Sequence, residues 1–379
     1  MGRHDCRSDP GRRDAGVRAW RVSTSLPSGN PIFHWYLPTV GDSRALLERG
    51  ENRRIPDIGY LKEVALAAER NGFESLLTPT GRSCPDPWLI TAALTQVTSR
   101  IKFLVAFRPG LVHPTLMAQM AQTFQEVSGG RLALNVVTGA DDAEQMSYGD
   151  FINKSSRYSR ADEFLSILKQ EWAATPYVHE GEFYKISKGG LPALLIKRPP
   201  IFFGGASPQA ESVSARHADV QLFFGETPPM LRERIARLRE LSAQQGRDMA
   251  FGVRLHVINR DSSDEAWAHA NRLLDGLPED IINRAQQRFR DSGAVGHQRL
   301  AALHDGTKRD RDALQVYPNI WAGSSLIYGN PALVGNHAEV AQRISEYRDA
   351  GITHFIMSGY PRLESSYEFG ESVIPLFNK

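Results

Sequence analysis

The sequence predicts an α/β fold of the (β/α)8 TIM barrel type. Eight apolar, strand-like segments alternate with helix-like segments along most of the 379 residues. The strand segments read as continuous apolar runs, which is typical of a parallel sheet covered by helices. Neither a GxGxxG fingerprint nor a Walker loop occurs, and this weakens the alternative of an open doubly wound sheet. A barrel places its functional site at the C-terminal ends of its strands.

The first half of the chain repeats the strand-then-helix unit four times. The first strand is aromatic and stops at Pro38, and the helix after it has Asp57 as a candidate N-cap and Gly72 as a stop. Each later unit is an apolar run followed by apolar residues at helical spacing. The predicted strands are Ile32–Pro38, Phe73–Thr78, Ile101–Phe107 and Arg131–Val137, and the predicted helices are Tyr60–Asn71, Pro87–Thr98, Thr115–Val127 and Arg157–Trp172.

The second half continues the pattern with two insertions. Residues 173–199 scatter aromatic residues and prolines, which predicts an excursion outside the main layer. Residues 259–336 contain charged helices and a glycine-rich, aromatic stretch, so the largest insertion falls between strands seven and eight. The remaining strands are Pro200–Phe203, Asp219–Phe224, Phe251–Ile258 and Thr353–Ser358, and the helices are one ending at His217, Met230–Gln245, Ala338–Ala350 and one from Leu363.

Composition predicts one large domain over residues 32–379 and a disordered N-terminal extension over residues 1–31. The extension holds six Arg and three Asp, so its net charge is +3, and because the whole chain has a net charge of +2, the domain has −1. The domain therefore lacks the basic excess that is typical of nucleic-acid binding. Only Cys6 and Cys84 are present, so we expect neither a disulfide framework nor a cysteine-based metal site. No apolar run of 18 residues occurs, and we expect a cytoplasmic protein without a membrane segment.

Polar side chains at the predicted strand ends are the candidate site. The stretch Leu76–Trp88 ends a strand in a proline-rich loop that carries Cys84, which is either a reactive thiol or incidental to a connector. Arg254 and His256 lie two apart on strand seven and share a face, either in the barrel mouth or in an exposed edge strand or internal hydrogen bond. The other strand-end residues are Thr78, Thr80, Arg82, Arg108, Asn135, Thr138, Ser358 and Tyr360.

Two loops are less specific. Gly204-Gly205-Ala206-Ser207 follows strand five and precedes a helix, an arrangement that directs backbone N–H groups toward an anion such as a phosphate. Asp141, Asp142 and Glu144 form an acidic cluster without histidine partners, so a solvated loop is favoured over a cation site, and no metal site is predicted.

These residues resemble the bacterial luciferase-like flavin monooxygenases, and within them the alkanesulfonate monooxygenases. The similarity runs from about Ile32 to Phe377. It is carried by WYLPTVGD (35–42), PTGRSC (79–84), FLVAFRPG (103–110), NVVTG (135–139), RY (157–158), FFGGAS (202–207), GVRLHVI (252–258), PNIWAG (318–323), ALVG (332–335) and SGYPRLE (358–364).

The resemblance implies a two-component enzyme that uses reduced FMN, supplied by a separate NAD(P)H-dependent flavin reductase, and O2 to convert an alkanesulfonate to an aldehyde and sulfite. It implies that Arg254 stabilises the reacting oxygens or the substrate anion, that His256 assists proton transfer or substrate orientation, and that Tyr360 donates to the same oxygens. Cys84 would line the flavin site. The implied FMN contacts are Asn135, Thr138, Tyr158, Gly205, Ala206 and Ser207. A homodimer or homotetramer is usual for the family.

Four departures from the family pattern bear on the substrate. A site histidine is replaced by Val40, a pocket tryptophan by Phe224, an arginine of a mobile loop by Tyr328, and a histidine by Arg362, which we expect to return positive charge to a pocket that includes Trp35. These changes leave a sulfone, another organosulfur compound or a more neutral molecule as alternative substrates. A deazaflavin-dependent oxidoreductase and a non-enzymatic flavin-binding protein are the alternative functions on the same fold.

Overall fold

The structure, a computed structural model, describes residues 29–47, 53–173, 176–191, 197–275, 277–291, 295–303, 309–328 and 330–378. The predicted extension therefore lies outside the described residues except at positions 29–31. The strands are β1 Ile32–Tyr36, β2 Ser75–Thr78, β3 Lys102–Phe107, β4 Leu132–Val136, β5 Tyr177–Glu180, β6 Lys185–Gly189, β7 Ile201–Gly204, β8 Val220–Phe223, β9 Ala250–Arg260, β10 Gln315–Tyr317, β11 Ile320–Trp321, β12 Ala332–Asn336 and β13 His354–Ser358.

The helices cover the outside of the sheet and much of the insertion after β9. They are α1 Ile58–Arg70, α2 Pro87–Leu94, α3 Pro114–Ser128, α4 Asp142–Ser147, α5 Lys154–Glu171, α6 Pro208–His217, α7 Pro228–Ala243, α8 Ser263–Leu274, α9 Glu279–Asp291, α10 Val295–Ala301, α11 Arg311–Leu314, α12 Ser325–Tyr328, α13 His337–Asp349 and α14 Arg362–Ser372. In the part of the chain that the structure describes, none of them is both long and apolar enough to span a bilayer.

Eight parallel strands close into a barrel, as the sequence predicts. They pair in the order β1, β2, β3, β4, β7, β8, β9 and β13, and β13 returns to pair with β1. An open sheet is therefore the wrong alternative. The excursion over 173–199 is an antiparallel hairpin of β5 and β6 that pairs outside the barrel.

The largest insertion lies between the seventh and eighth barrel strands, as expected, and it extends β9. From His256 to Arg260, β9 pairs in parallel with β12, which takes the edge that β8 occupies lower on the strand. β11 and β10 then add to β12 in antiparallel fashion. The second half of β9 thus rises above the barrel and carries the insertion over its mouth.

Some helix boundaries differ from the sequence prediction because capping residues set them. α5 begins one turn before Arg157, since the side chain of Asn153 accepts from the backbone N–H of Ser156. α2 ends at Leu94 instead of Thr98. The N-cap predicted at Asp57 is confirmed, because its carboxylate accepts from the N–H of Tyr60 at 2.8 Å.

Alternation along β1 decides which side chains enter the barrel. Tyr36 lies in the interior cluster with Leu104, Phe202 and Ile356, whereas Trp35 packs in the layer between barrel and helices. A group of polar side chains lies lower in the barrel interior. His34 contacts the hydroxyl of Ser75 at 2.7 Å and the ring of His354 at 2.9 Å, and burial lowers the pKa of both histidines, that of His354 to about 3.

Candidate active site

A cavity of about 1060 Å³ opens at the C-terminal ends of the barrel strands. This volume lies just above the range for small-molecule sites, about 300–1,000 Å³, which leaves room for a large cofactor beside a second ligand. Apolar walls come from Leu77, Leu222, Phe223 and Ile356, and one face of α9 covers the mouth. The residues named in the sequence analysis that line it are Thr80, Arg108, Asn135, Thr138, Asp141, Asp142, Glu144, Tyr158, Gly205, Ala206, Ser207, Phe224 and Arg254.

The turn after β7 is held in a fixed conformation at one end of this cavity. The hydroxyl of Ser207 caps α6 by accepting from the N–H of Ala210 at 3.2 Å. A side chain at Gly205 would meet the Cβ of Ala210 at 2.5 Å, so only glycine allows the turn to pack this closely on α6. The buried amide of Gln221 donates to the carbonyl of Gly205 at 2.9 Å. Gln221, which the sequence did not single out, therefore keeps the helix N-terminus directed at the cavity.

The start of α5 brings a cation to the same end. Lys154 and Tyr158 are one helical turn apart and both line the cavity. The side chain of Gln209 on α6 donates to the hydroxyl of Ser155 at 3.2 Å, which places the two helix N-termini side by side. Burial, followed by the charge of Arg157, lowers the pKa of Lys154. A partly desolvated lysine beside two helix N-termini suits an anionic group. The four-residue spacing to Tyr158 is the sequence signal that could have revealed Lys154.

Buried polar atoms on the cavity floor lack partners within the described residues. They are Oδ1 of Asn135 and the Nε and Nη1 atoms of Arg108, whose residues are 7% and 8% exposed. Arg108 uses its Nη2 to bind Glu144 at 2.6 Å. Because buried polar groups are nearly always hydrogen-bonded, these atoms indicate a polar ligand in the cavity. Together with the lysine and the turn, they fit a flavin with a phosphate tail.

Arg254 is positioned by an aromatic side chain that the sequence analysis missed. Its guanidinium carbon lies 4.4 Å from the ring centroid of Tyr36, and its Nε is buried without a hydrogen-bond partner among the described residues. Arg362 lies against the same ring at 5.7 Å and against the ring of Tyr360 at 5.4 Å, and Tyr360 stacks on His256 with centroids 5.0 Å apart. Cations and rings thus alternate from the cavity to His256.

His256 and Tyr360 lie behind Arg254 and do not line the cavity. Both are buried, and the hydroxyl of Tyr360 is 3.4 Å from Nε2 of His256. Burial, with the charges of Arg254 and Arg362 adding to it, holds the pKa of His256 well below its usual range, so the ring stays neutral near pH 7. Since β9 is covered by β12 and β13, the alternative of an exposed edge strand is wrong.

Two pocket residues of the sequence analysis do not line this cavity. Trp35 faces the helices, where its indole donates to the carbonyl of Arg362 at 3.1 Å and packs on Phe73. Arg362 binds the buried carboxylate of Asp42 at 2.9 Å, so its charge is balanced there and is not returned to the pocket. The side chain of Tyr328 lies outside the described residues.

The Cys84 loop and the acidic loop meet at the cavity edge. Glu144 accepts from the backbone N–H of Arg82 at 2.9 Å and from Arg108, while Asp142 binds Arg157 at 2.5 Å. Glu144 and Asp142 therefore form ion pairs, whereas Asp141 caps α4, and Asp141 and Asp142 remain exposed to solvent as expected. Cys84 stands next to this contact, outside the cavity lining, and burial raises the pKa of its thiol. It is not an activated thiolate.

Comparison with known proteins places this geometry in a family. The family model described as luciferase-like monooxygenase matches residues 32–354. Similar structures include riboflavin lyase with modified FMN and riboflavin, at TM-score 0.79 and 17% identity over 92% of each chain. EDTA monooxygenase from Chelativorans sp. BNC1 aligns at TM-score 0.76 and 20% identity over 92% of this chain and 94% of that chain. Long-chain alkane monooxygenase aligns at TM-score 0.73 and 19% identity over 93% and 92%.

At these identities the solved structures show a shared fold. The family model carries more, because it extends over most of the chain and over all the barrel strands up to the start of β13. The protein belongs to the luciferase-like monooxygenase family.

Proposed function

We propose that this protein is a reduced-FMN-dependent monooxygenase that oxygenates and desulfonates an alkanesulfonate, giving an aldehyde and sulfite. The observation that carries the proposal is that all six sequence-predicted FMN residues line one cavity together with Arg254. Membership of the luciferase-like family supports a flavin-dependent oxygenation, and the alkanesulfonate is inferred from the sequence motifs.

The two ends of the cavity have different chemistry, which orients the cofactor. Lys154, Tyr158, Ser207 and the backbone of Gly205 would hold the phosphate, because a cation and two helix N-termini meet there. Asn135, whose Oδ1 lacks a partner among the described residues, would accept from the flavin ring. When bound, reduced FMN supplies the electrons for the activation of O2.

Arg254 would stabilise negative charge on the reacting oxygens or on the sulfonate. Its guanidinium is held over Tyr36 at the cavity wall, so no reorganisation is needed when charge develops. His256 is neutral and buried behind Arg254, and together with Tyr360 it would transfer a proton toward the reacting oxygens in the cavity. This makes His256 and Tyr360 a supporting pair, and Arg254 the residue that meets the substrate.

The apolar lining also favours a second substrate class. Phe224 lies in the wall with Leu77, Leu222 and Ile356, which suits an alkyl chain or a more neutral organosulfur compound such as a sulfone. We further propose that reduced FMN comes from a separate NAD(P)H-dependent flavin reductase, and that the protein acts in the cytoplasm as a homodimer or homotetramer.

The test is sulfite release. The protein, an NADH-dependent flavin reductase, FMN and NADH are mixed in air with C1 to C10 alkanesulfonates or with dialkyl sulfones. We expect sulfite from at least one sulfonate and none when the reductase is omitted. If the protein binds reduced FMN tightly but releases no sulfite from any sulfonate, the assignment of an alkanesulfonate as the substrate would be refuted.

Two further outcomes separate the alternative functions. Turnover that continues without oxygen in the presence of a reduced deazaflavin would identify a deazaflavin-dependent oxidoreductase. FMN binding without oxidation of any compound tested would identify a flavin-binding protein.

A further inference from the structure

We propose that Arg284 and Arg288, on the cavity-facing side of α9, recognise the acidic group of the substrate and make the enzyme selective for organic anions. The inference rests on the proposed function and assigns its specificity to a part of the fold that the sequence motifs leave out. Neither residue belongs to a barrel strand or to a motif of the resemblance.

α9 is a fixed wall of the cavity mouth. Ile282 packs in the apolar cluster of the insertion with Trp321 and Leu326, and the buried amide of Gln286 donates to the carbonyls of Ser325 and Leu326 at 3.3 and 2.9 Å. The helix is therefore fastened to α12 along its buried side.

α10 fastens the other side of the same wall. A Cβ at Gly296 would come within 2.6 Å of the Phe224 ring, so α10 lies directly on this wall residue. Arg299 of α10 reaches the buried carboxylate of Glu226 at 3.2 Å. Both helices at the cavity mouth are thus held in place, α9 by α12 and α10 by Phe224 and Glu226.

That face carries two arginines one turn apart. Arg284 and Arg288 both line the cavity and are exposed. Arg284 binds Asp280 at 2.6 Å, but this pair is 68% and 61% exposed and contributes little. Arg288 has no carboxylate within ion-pair distance among the described residues. Asp291, the carboxylate of α9 that lines the cavity, accepts from the amide of Gln287 at 2.8 Å. Arg288 is therefore a cation at the cavity mouth without an ion-pair partner among the described residues, and a carboxylate or sulfonate would neutralise it.

The other cations near the cavity have partners or other duties. Arg362 is balanced by Asp42 and does not line the cavity, and Arg108 is bound by Glu144. Lys154 lies at the phosphate end, beside the turn after β7. An acidic group held at α9 would point the carbon that bears it, at which the proposed desulfonation occurs, toward Arg254 and leave the alkyl chain along the apolar walls. Selection at α9 also accounts for a functional pocket in which Tyr328 stands where the family has an arginine.

The experiment measures binding to the FMN-loaded full-length protein by calorimetry. The probes are octane-1-sulfonate and the neutral 1-octanol, with the variants R284Q, R288Q and the double variant. R290Q is the matched control, because Arg290 is an exposed arginine of the same helix that does not line the cavity.

We expect R288Q to weaken octane-1-sulfonate binding about tenfold, the double variant to weaken it further, and 1-octanol and R290Q to show little change. D291N should strengthen sulfonate binding, and 0.5 M NaCl should weaken it in the parent protein more than in the double variant. Equal sulfonate affinity in R290Q and the double variant would overturn the inference.

A second arm separates the substrate from the cofactor phosphate. If the double variant binds FMN more weakly but binds riboflavin as well as the parent protein does, the anion that Arg284 and Arg288 bind is the phosphate of FMN, and the inference is wrong. Sulfonate binding that depends on Arg288 without sulfite release would refute only the proposed reaction. If the double variant releases sulfite with an unchanged KM for the sulfonate, only the role of Arg284 and Arg288 in binding the substrate would be refuted.

Discussion

Replacing Tyr36 by leucine tests whether this side chain positions Arg254. The ring lies in the barrel interior and is 9% exposed, and the guanidinium carbon of Arg254 is 4.4 Å from its centroid. A partly desolvated cation–π contact of this kind contributes about 1–2 kcal/mol. Since 1.4 kcal/mol corresponds to a factor of ten, we expect Tyr36→Leu to lower kcat/KM for the best sulfonate by about 5- to 30-fold.

The assay is steady-state sulfite release at saturating reduced FMN, with two matched variants. Tyr36→Phe keeps the ring and should keep kcat/KM within about threefold. Leu104→Ala opens a cavity in the same interior cluster and should lower the free energy of unfolding by about 2–5 kcal/mol without disturbing Arg254. Leu104→Ala should therefore be less stable than the parent protein but have a similar kcat/KM.

A kcat/KM for Tyr36→Leu that equals that of Tyr36→Phe would refute the positioning role. A loss in Leu104→Ala as large as that in Tyr36→Leu would show that general loosening of the barrel, and not the Arg254 contact, is responsible.

Three other predictions follow from buried contacts. Gln221→Leu removes the hydrogen bond to the carbonyl of Gly205 and should weaken FMN binding about tenfold in a fluorescence titration, with riboflavin affected less; an unchanged FMN Kd would contradict the holding role. Cys84→Ala should retain measurable turnover with altered flavin or oxygen kinetics, whereas complete loss with FMN still bound would restore a nucleophilic thiol. His34 and His354 have lowered pKa values in the folded state, so below pH 6.5 the unfolded chain binds more protons and the free energy of unfolding should fall by about 1.4 kcal/mol per pH unit for each group. Urea unfolding between pH 7 and 5 measures this, His354→Asn should flatten the slope, and a flat profile in the parent protein would exclude it.

The barrel could be predicted because its signals are local. Each strand is an apolar run, and caps such as Asp57 mark helix starts, so all eight barrel strands were found near their observed positions. Boundaries shifted where a cap had been overlooked, as at Asn153. The six FMN residues are implied by the family resemblance, and they line one cavity with Arg254 because a parallel barrel brings its strand ends, and the helix starts beside them, to one face.

The errors at the site arose from side-chain direction and from long-range pairing. Strand parity already separates Trp35, which shares a face with Phe33 and Leu37, from Tyr36, so this error could have been avoided. The pairing of Arg362 with Asp42 joins residues 320 positions apart, and no local pattern reveals it. The wall formed by α9 depends in the same way on how the insertion folds back over the barrel.

The most direct test of the central claim, that this barrel-end cavity couples reduced FMN and O2 to desulfonation through Arg254, is the stoichiometry of sulfite to oxygen. Oxygen consumption and sulfite release are recorded together with the reductase, FMN and the best alkanesulfonate. We predict close to one sulfite per O2 in the parent protein. In Arg254→Met, oxygen should still be consumed but be released as hydrogen peroxide, while the yield of sulfite falls by about tenfold or more. Equal sulfite yields from both proteins, or hydrogen peroxide as the sole oxygen product of the parent with every organosulfur compound, would contradict it.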